Sequence, residues 1–352
     1  MPHPLPLGGE LASIRQAAEL DLTALAWSLA ASAQAFYELH GLYDEGVSTH
    51  QVALAACRRT GDGLGEAVLL RNLADLWTSR SGADLQDKLD AAEAALALFR
   101  RFGKRRGEAD ALWMCGDVHR VRGLHGPASR LLAEALTVAV GDGHELGECH
   151  ALTGMAIVSW EQGRPEVTRE LAERCAALAG RLGYPRDMSV ALTLLGFADP
   201  ARQESMLRTA LTVARDAGDP VQELYTLARL GMHYVTVDRA RARGLLDTAL
   251  ARSRADGLLF GEALASWGLG ELELADGQPR AAVDHLDRAI RLLGDRRFTY
   301  LRARALTALG SAHVRLDPPA AIAAWTGARA LFDQIDNRPA VAEVDALLAA
   351  PA

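Results

Sequence analysis

Residues 144 to 150, HELGECH, put two histidines, two glutamates and a cysteine into seven positions. Donors of this kind bind zinc when two histidines lie at i and i+4 on one helical face. Here position i+4 is Glu148, and His144 lies in the preceding turn, across a helix boundary. That boundary is marked by Gly147-Glu148, a pair that recurs at Gly65-Glu66, Gly107-Glu108 and Gly261-Glu262. Glu148 is therefore read as a first-turn acid that favours the helix dipole, and no metal is expected. The cysteines at 57, 115, 149 and 175 have no CxxC spacing and too low a density for a disulfide scaffold, so they read as reduced, buried, small apolar residues. The Gly-rich stretch GDGLGEA (61 to 67) lacks the lysine that a phosphate-binding loop requires. Spacing supports no nucleophile, base and orienter set. The chain is therefore read as non-enzymatic and without a cofactor.

The elements that carry these residues follow from repetition. GEAVLLRNLA (65 to 74), GEADALWMCG (107 to 116), GECHALTGMA (147 to 156) and GEALASWGLG (261 to 270) share one frame, into which DMSVALTLLG (187 to 196), QELYTLARLG (222 to 231) and LRARALTALG (301 to 310) also fall. The last small residues are Ala74, Gly116, Ala156, Gly196, Gly231, Gly270 and Gly310, spaced 42, 40, 40, 35, 39 and 40 residues apart. A second ladder, Ala53, Ala95, Ala135, Cys175, Ala210, Ala249, Ala289 and Ala328, keeps nearly the same spacing. Two ladders in step define eight pairs of helices, A then B. Small residues recur because neighbouring helices must approach closely, and a lone pair cannot bury its apolar face, so pairs stack into a solenoid.

Punctuation agrees with this frame. Asp199-Pro200 and Asp317-Pro318 offer an N-cap acceptor followed by a proline, while Gly61, Gly103, Gly183 and Gly218 follow B helices where a left-handed residue is wanted. The 35-residue unit around Gly196 predicts an A helix that ends early. A last helix over 338 to 349 would cap the array. The expected organisation is a lead-in over 1–21, an array over 22–335, and a capping helix with tail over 336–352.

Composition is consistent with a folded all-α chain: 49% of the 352 residues are hydrophobic, only 5% are aromatic, and alanine and leucine dominate. A net charge of -7 argues against nucleic acid as a direct partner. Without a basic n-region, an apolar leader or an apolar run of about 18 residues, no membrane partner is expected and the cytoplasm is the expected location. Lys104-Arg105-Arg106 and Arg239, Arg241 and Arg243 read as surface charge.

The Leu-Gly pairs at 195–196, 230–231, 269–270 and 309–310, with Ala95 and Phe99 or Ala328 and Phe332 in helix B, resemble the tetratricopeptide repeat signature in a long form of about 40 residues. The GEA-AL-LG-(helix B)-GD wording is similar to the C-terminal arrays of actinobacterial transcription regulators of the antibiotic regulatory protein type and of STAND ATPases. The resemblance implies a right-handed superhelical solenoid of about eight antiparallel helix pairs whose A helices line a concave face. Its lining positions carry over to Arg71, Asp75, Asp110, Trp113, Asp117, Arg120, His150, Thr153, Trp160, Phe197, Tyr225, Met232, Trp267, Glu271, Arg304 and Thr307. It implies a non-catalytic scaffold or regulatory sensor that binds a protein, peptide or partner helix in this groove, with Trp113, Trp160 and Trp267 as anchors. A small-molecule effector on the same aromatics is the alternative. A tetratricopeptide phosphatase of response regulators is a further one, although such enzymes carry an extra N-terminal bundle.

Overall fold

The computed structural model describes residues 7–40, 42–79, 84–294 and 297–349. Among them lie eighteen α-helices, one 3-10 turn and no strand. After α1 (Leu7–Glu19), the helices come in eight pairs. These are α2 (Thr23–His40) with α3 (Tyr43–Thr60), α4 (Gly63–Ser79) with α5 (Leu85–Arg101), α6 (Arg105–Val121) with α7 (His125–Gly141), and α8 (Glu145–Glu161) with α9 (Pro165–Leu182). The remaining pairs are α10 (Pro185–Ala198) with α11 (Gln203–Asp216), α12 (Pro220–Tyr234) with α13 (Arg239–Ala255), α14 (Leu259–Ala275) with α15 (Pro279–Leu293), and α16 (Thr299–His313) with α17 (Pro318–Gln334). Helix α18 (Arg338–Ala349) ends the series and packs on α17. The fold is an all-α helical-repeat solenoid. Within the lead-in, α1 packs on α2 and α3.

Two compact units divide the chain. One comprises Met1–Val118 and Leu131–Glu148, the other His119–Arg130 and Cys149–Ala352. In the first, α3 packs between α2 and α4, and α4 packs on α5. In the second, each helix from α9 to α18 packs on the next, and A helices also meet one another, α10 with α12, α12 with α14, and α14 with α16.

The small residues do what the ladders require. In repeats five to eight the last glycine of the A helix faces a side chain of its own B helix. A Cβ on Gly231 would come within 2.8 Å of Leu246, on Gly270 within 2.5 Å of Leu286, and on Gly310 within 2.3 Å of the Trp325 ring. Two glycines of the Gly-Glu pairs face the preceding B helix closely: Gly107 abuts Phe99 and Gly261 abuts Ser253, each at 2.5 Å from a built Cβ. Cys175 and the alanines of the second ladder are fully buried.

Helix ends also match. The residues after the B helices, Gly61, Gly103, Gly183 and Gly218, have φ of 78°, 64°, 72° and 66°, the left-handed region that glycine enters without a Cβ clash. Asp199 and Asp317 accept from the backbone N–H of Ala201 and Ala320. Helix α10 has 14 residues against 17 in α4, α6, α8 and α14, and a 3-10 turn, Pro200–Arg202, follows it.

In the first unit a buried His50 stands between the Gly46 carbonyl, 2.8 Å from Nδ1, and the Asn72 amide, 3.2 Å from Nε2. Nδ1–H donates and Nε2 accepts, so the ring is neutral, and burial lowers its pKa to about 4. A folded pKa below the unfolded value means that the unfolded chain takes up the proton first as pH falls. Stability from this group is present above about pH 6.5 and decreases toward pH 4. Between pH 6.5 and 5 the loss is roughly 1.5 kcal/mol, and urea titrations of the wild type and His50→Gln should show that the variant loses this part of the pH slope. Separately, Gly310→Ala forces a methyl against Trp325 and should destabilise the second unit by about 1–3 kcal/mol, read as a lower unfolding midpoint.

Candidate functional site

The inner residues of α8, α10, α12, α14 and α16 surround a cavity of about 270 Å³ in the second unit. Trp160, Phe197, Met232 and Trp267 supply apolar walls, Arg229, Glu271, Tyr300 and Arg304 supply polar groups, and Gln203, His233 and Thr236 complete the lining. Thr236 is exposed, so the cavity reaches solvent beside the end of α12. Trp160 and Phe197 stack with ring centroids 5.1 Å apart. The Trp267 indole N–H donates to Glu271 across one helical turn at 2.9 Å, and His233 Nδ1 lies 3.0 Å from the Gln203 side-chain oxygen.

Arg229 dominates the electrostatics. It is only 9% exposed. Its guanidinium carbon lies 5.3 Å from the Phe197 centroid, 5.2 Å from Tyr225 and 5.3 Å from Trp267. Its Nε is buried with no hydrogen-bond partner, and among the described residues no carboxylate pairs with it. By contrast, Arg304 is bridged to Glu343 at 3.0 Å. Burial pushes the Glu271 carboxyl above its ordinary pKa, opposed by the Arg304 charge and the Trp267 N–H, and burial likewise raises Tyr300. Two guanidiniums therefore face a lining that holds one carboxyl.

The ends of the second unit meet beside this cavity. The Asn337 amide donates to the Glu161 carbonyl at 3.0 Å, the Gln334 amide to the Arg122 carbonyl at 3.1 Å, and Arg164 lies 3.5 Å from Asp336. These contacts join residues 172 to 212 positions apart in sequence. Glu161 anchors the junction, its carboxylate reaching His125 at 2.7 Å and Arg120 at 2.9 Å.

Of the residues chosen from sequence, Trp160, Phe197, Met232, Trp267, Glu271 and Arg304 come together here, with Tyr225 behind Arg229. Others are tied to side chains of neighbouring helices. Arg71 meets Asp110 at 3.3 Å, Asp75 accepts from Gln34 at 2.9 Å, Asp117 meets Lys88 of α5 at 3.3 Å, and Arg120 meets Glu161. Thr307 bonds its own helix through the Ala303 carbonyl. Trp113 is half-buried in the first unit and is not part of this lining. The first unit has a larger depression, about 690 Å³, lined by leucines and alanines of α3 to α5 with Gln51, Asp87, Asp90 and Arg58, the last of which is already paired to Glu66.

Arg229, Tyr300, Gln203, His233 and Thr236 were missed. The signal for Arg229 is its column, two before the last small residue, where the other repeats carry Asn72, Met114, Gly154, Leu194, Gly268 and Ala308. It is the one charge in a column otherwise uncharged. Thr236 stands five after Gly231, a lining offset.

The HELGECH residues separate. His144 lies 2.9 Å from Asp110, whereas His150 lies 3.6 Å from Asp187. Cys149 is more than a filler: its Sγ lies 3.6 Å from that of Cys175, and these two with Asp187 place their donor atoms within 4.8 Å of one another. Thr153 bridges the group, its hydroxyl 3.0 Å from Cys175 and 3.0 Å from Asp187. The Cys149 and Thr153 hydrogen bonds lower the Cys175 pKa, whereas burial drives Cys57 and Cys115 up to about 12. Cys57 and Cys115 thus match the small-apolar reading, and Cys149 and Cys175 depart from it because helices α8 to α10 bring polar partners to them. The basic residues are paired too: Arg105 with Glu108, Arg106 with Asp142, and Arg239 and Arg243 with Asp276.

Comparison with known proteins fits this geometry. No family model matches the chain. The regulatory protein AfsR of Streptomyces griseus is 26% identical over 287 residues, 68% of this chain, and the match spans 28% of the length of AfsR. Among solved structures, the Rap conjugation gene regulator of plasmid pLS20 in complex with the Phr* peptide superposes with a TM-score of 0.62 at 12% identity, covering 96% of this chain and 97% of its own. A Rap protein complexed with competence and sporulation factor gives 0.58 at 14%, covering 97% and 96%. A STAND protein with a tetratricopeptide repeat sensor from Pyrococcus horikoshii gives 0.54 at 14%, covering 88% of this chain and 52% of that one. The chain has the fold of tetratricopeptide-type repeat proteins and resembles an actinobacterial regulator in sequence.

Magnitudes separate the roles of the two arginine sites. Removing one partner from a buried ion pair costs about 3–5 kcal/mol, so Glu161→Ala, which takes the carboxylate from Arg120 and His125, should lower the unfolding midpoint sharply. A buried lone cation costs several kcal/mol in desolvation, which three cation–π contacts of about 0.5–2 kcal/mol each offset. Arg229→Met should therefore stay within about 1 kcal/mol of wild type in urea unfolding. A large loss for Arg229→Met would make it a structural residue.

Proposed function

We propose that this chain is a non-catalytic regulatory sensor that binds a short peptide in the cavity between α8, α10, α12, α14 and α16. The observation that carries this reading is Arg229, an unpaired buried cation held by three aromatic rings at the wall of a water-accessible cavity. A protein stabilised only by packing has no use for such a group, since an apolar side chain fills the same space without the desolvation cost. Trp, Tyr and Arg are also the residue types that concentrate binding energy.

The resemblance to Rap regulators, two of them solved with Phr* or with competence and sporulation factor, and to AfsR, supports a regulatory peptide-binding role. The working residues are Trp160, Phe197, Tyr225, Arg229, Met232, Trp267, Glu271, Tyr300 and Arg304. A volume of about 270 Å³ lies just below the roughly 300 Å³ at which small-molecule sites begin, so the cavity takes one or two residues of an extended peptide, not a partner helix. The same volume is what favours the second reading, a small-molecule effector on the same aromatics. Neither reading needs a cofactor, nucleic acid or membrane, and no described helix is long and apolar enough to cross a membrane.

The test is retention of ligands from a low-molecular-mass fraction of native lysate, identified by mass spectrometry. Wild type is compared with Trp160→Ala and with Met232→Trp, which fills the cavity, after circular dichroism has established that both are folded. The wild type should retain a defined peptide that each variant loses roughly 30-fold or more, the ratio that corresponds to a hot-spot contact of about 2 kcal/mol. Equal retention by all three would contradict the reading, and retention of a non-peptide metabolite would select the second one.

A further inference from the structure

The cavity's charge and walls define its occupant more narrowly. We propose that it binds the carboxylate of an apolar ligand, with Arg229 holding the carboxylate and Trp160, Phe197, Met232 and Trp267 enclosing the apolar body. This deepens the peptide-binding reading and rests on it for the carrier, the C-terminal residue of a peptide; a free apolar carboxylic acid presents the same chemistry.

Three independent observations lead here. Arg229 is nine-tenths buried, lacks any ion-pair partner among the described residues, and stands in a column that is uncharged in every other repeat. A guanidinium is a planar fork that matches a carboxylate through two parallel N–H donors, and its cage of Phe197, Tyr225 and Trp267 fixes the fork while leaving its donors unused. Second, Arg304 is already paired with Glu343 at 3.0 Å, and the one carboxyl of the lining, Glu271, is held by the Trp267 Nε1–H at 2.9 Å, so the Arg229 charge is left for a further carboxylate. Third, Trp160, Phe197, Met232 and Trp267 form an apolar side of a lining that also holds Gln203, His233 and Thr236, and Trp160 and Phe197 stack there as a flat wall. Such a wall rewards a branched aliphatic or aromatic side chain, and one guanidinium in an aromatic cage suits a monoanion better than a phosphate dianion.

The test is calorimetric titration of the full chain with matched acids and amides. The probes are N-acetyl-leucine, N-acetyl-phenylalanine and N-acetyl-tryptophan with their carboxamides, and the pentapeptides Gly-Ser-Gly-Ser-Leu and Gly-Ser-Gly-Ser-Phe as free acids and C-terminal amides. At least one acid should bind about tenfold or more tightly than its amide, the least expected when a buried charged hydrogen bond is removed. Arg229→Gln should abolish the difference between acid and amide. Glu271→Gln keeps an acceptor for the Trp267 N–H and removes the competing negative charge, so it should tighten the acids and leave the amides unchanged, a gain that misfolding cannot mimic. Acids and amides of equal affinity, an acid preference that survives in Arg229→Gln, or no acid binding at millimolar concentration would each overturn the carboxylate proposal. If the pentapeptides bind equally as acids and amides, that proposal falls and the peptide reading stands. If the N-acetyl acids bind with the acid preference and both pentapeptides fail, the carboxylate proposal stands and the peptide carrier falls.

Discussion

Helices in this chain approach one another more closely than a methyl group allows. At Gly231, Gly270 and Gly310 the side chain of the partner B helix occupies the place where a Cβ would sit, and at Gly107 and Gly261 the preceding B helix does the same. Helix α14 carries both contacts and is thus clamped between two B helices, and such contacts fix which face of an A helix turns to the B layer. The opposite face is released from packing within its own pair. What the A helices carry there is free to vary, and in the second unit it varies toward rings and charges: Trp160, Phe197, Arg229, Trp267, Tyr300 and Arg304.

Closure of the second unit gives these residues a common environment. Asn337, Gln334 and Asp336 reach back to the turns around Arg122, Glu161 and Arg164, and the five A helices line a small cavity that opens to solvent beside the end of α12. Burial of a group in its wall lowers the local dielectric, which strengthens charge interactions there and penalises an unpaired ion. Arg229 persists there because three rings surround its guanidinium. Ion pairs of the Glu161 kind act differently: they connect successive A helices and hold the junction.

Most of the fold was legible because it is written twice, in two ladders of small residues with the same spacing. The eight pairs, the short α10 after its 35-residue unit, the left-handed glycines after B helices and the last helix all follow from local chemistry. The site was only partly legible. Offsets from the small residue locate Trp160, Phe197, Met232, Trp267, Glu271 and Arg304, since these depend on helical period alone. The same offsets gave Arg71, Asp75, Asp110 and Asp117, whose neighbours on adjacent helices turn them into bridges. Whether a polar residue on the inner face meets a carboxylate or a cavity depends on contacts across repeats that a single helix does not encode. Tyr300 and Gln203 lie outside the lining offsets and enter through closure and through the short α10. Cys149 and Cys175 meet for a similar reason, since no spacing within HELGECH refers to α9 or α10. Arg229 left a mark as the single charge in its column, and Thr236 one as a residue at a lining offset.

The central claim is that ligand binds on the inner face of the second unit. Hydrogen–deuterium exchange on the ligand-loaded and ligand-free protein reads this location directly, because bound ligand slows local opening of the helices that line its site. The account predicts added protection in α8, α10, α12, α14 and α16, largest in α12 around Arg229. Protection confined to α9, α11, α13 and α15, or to the first unit, would contradict it.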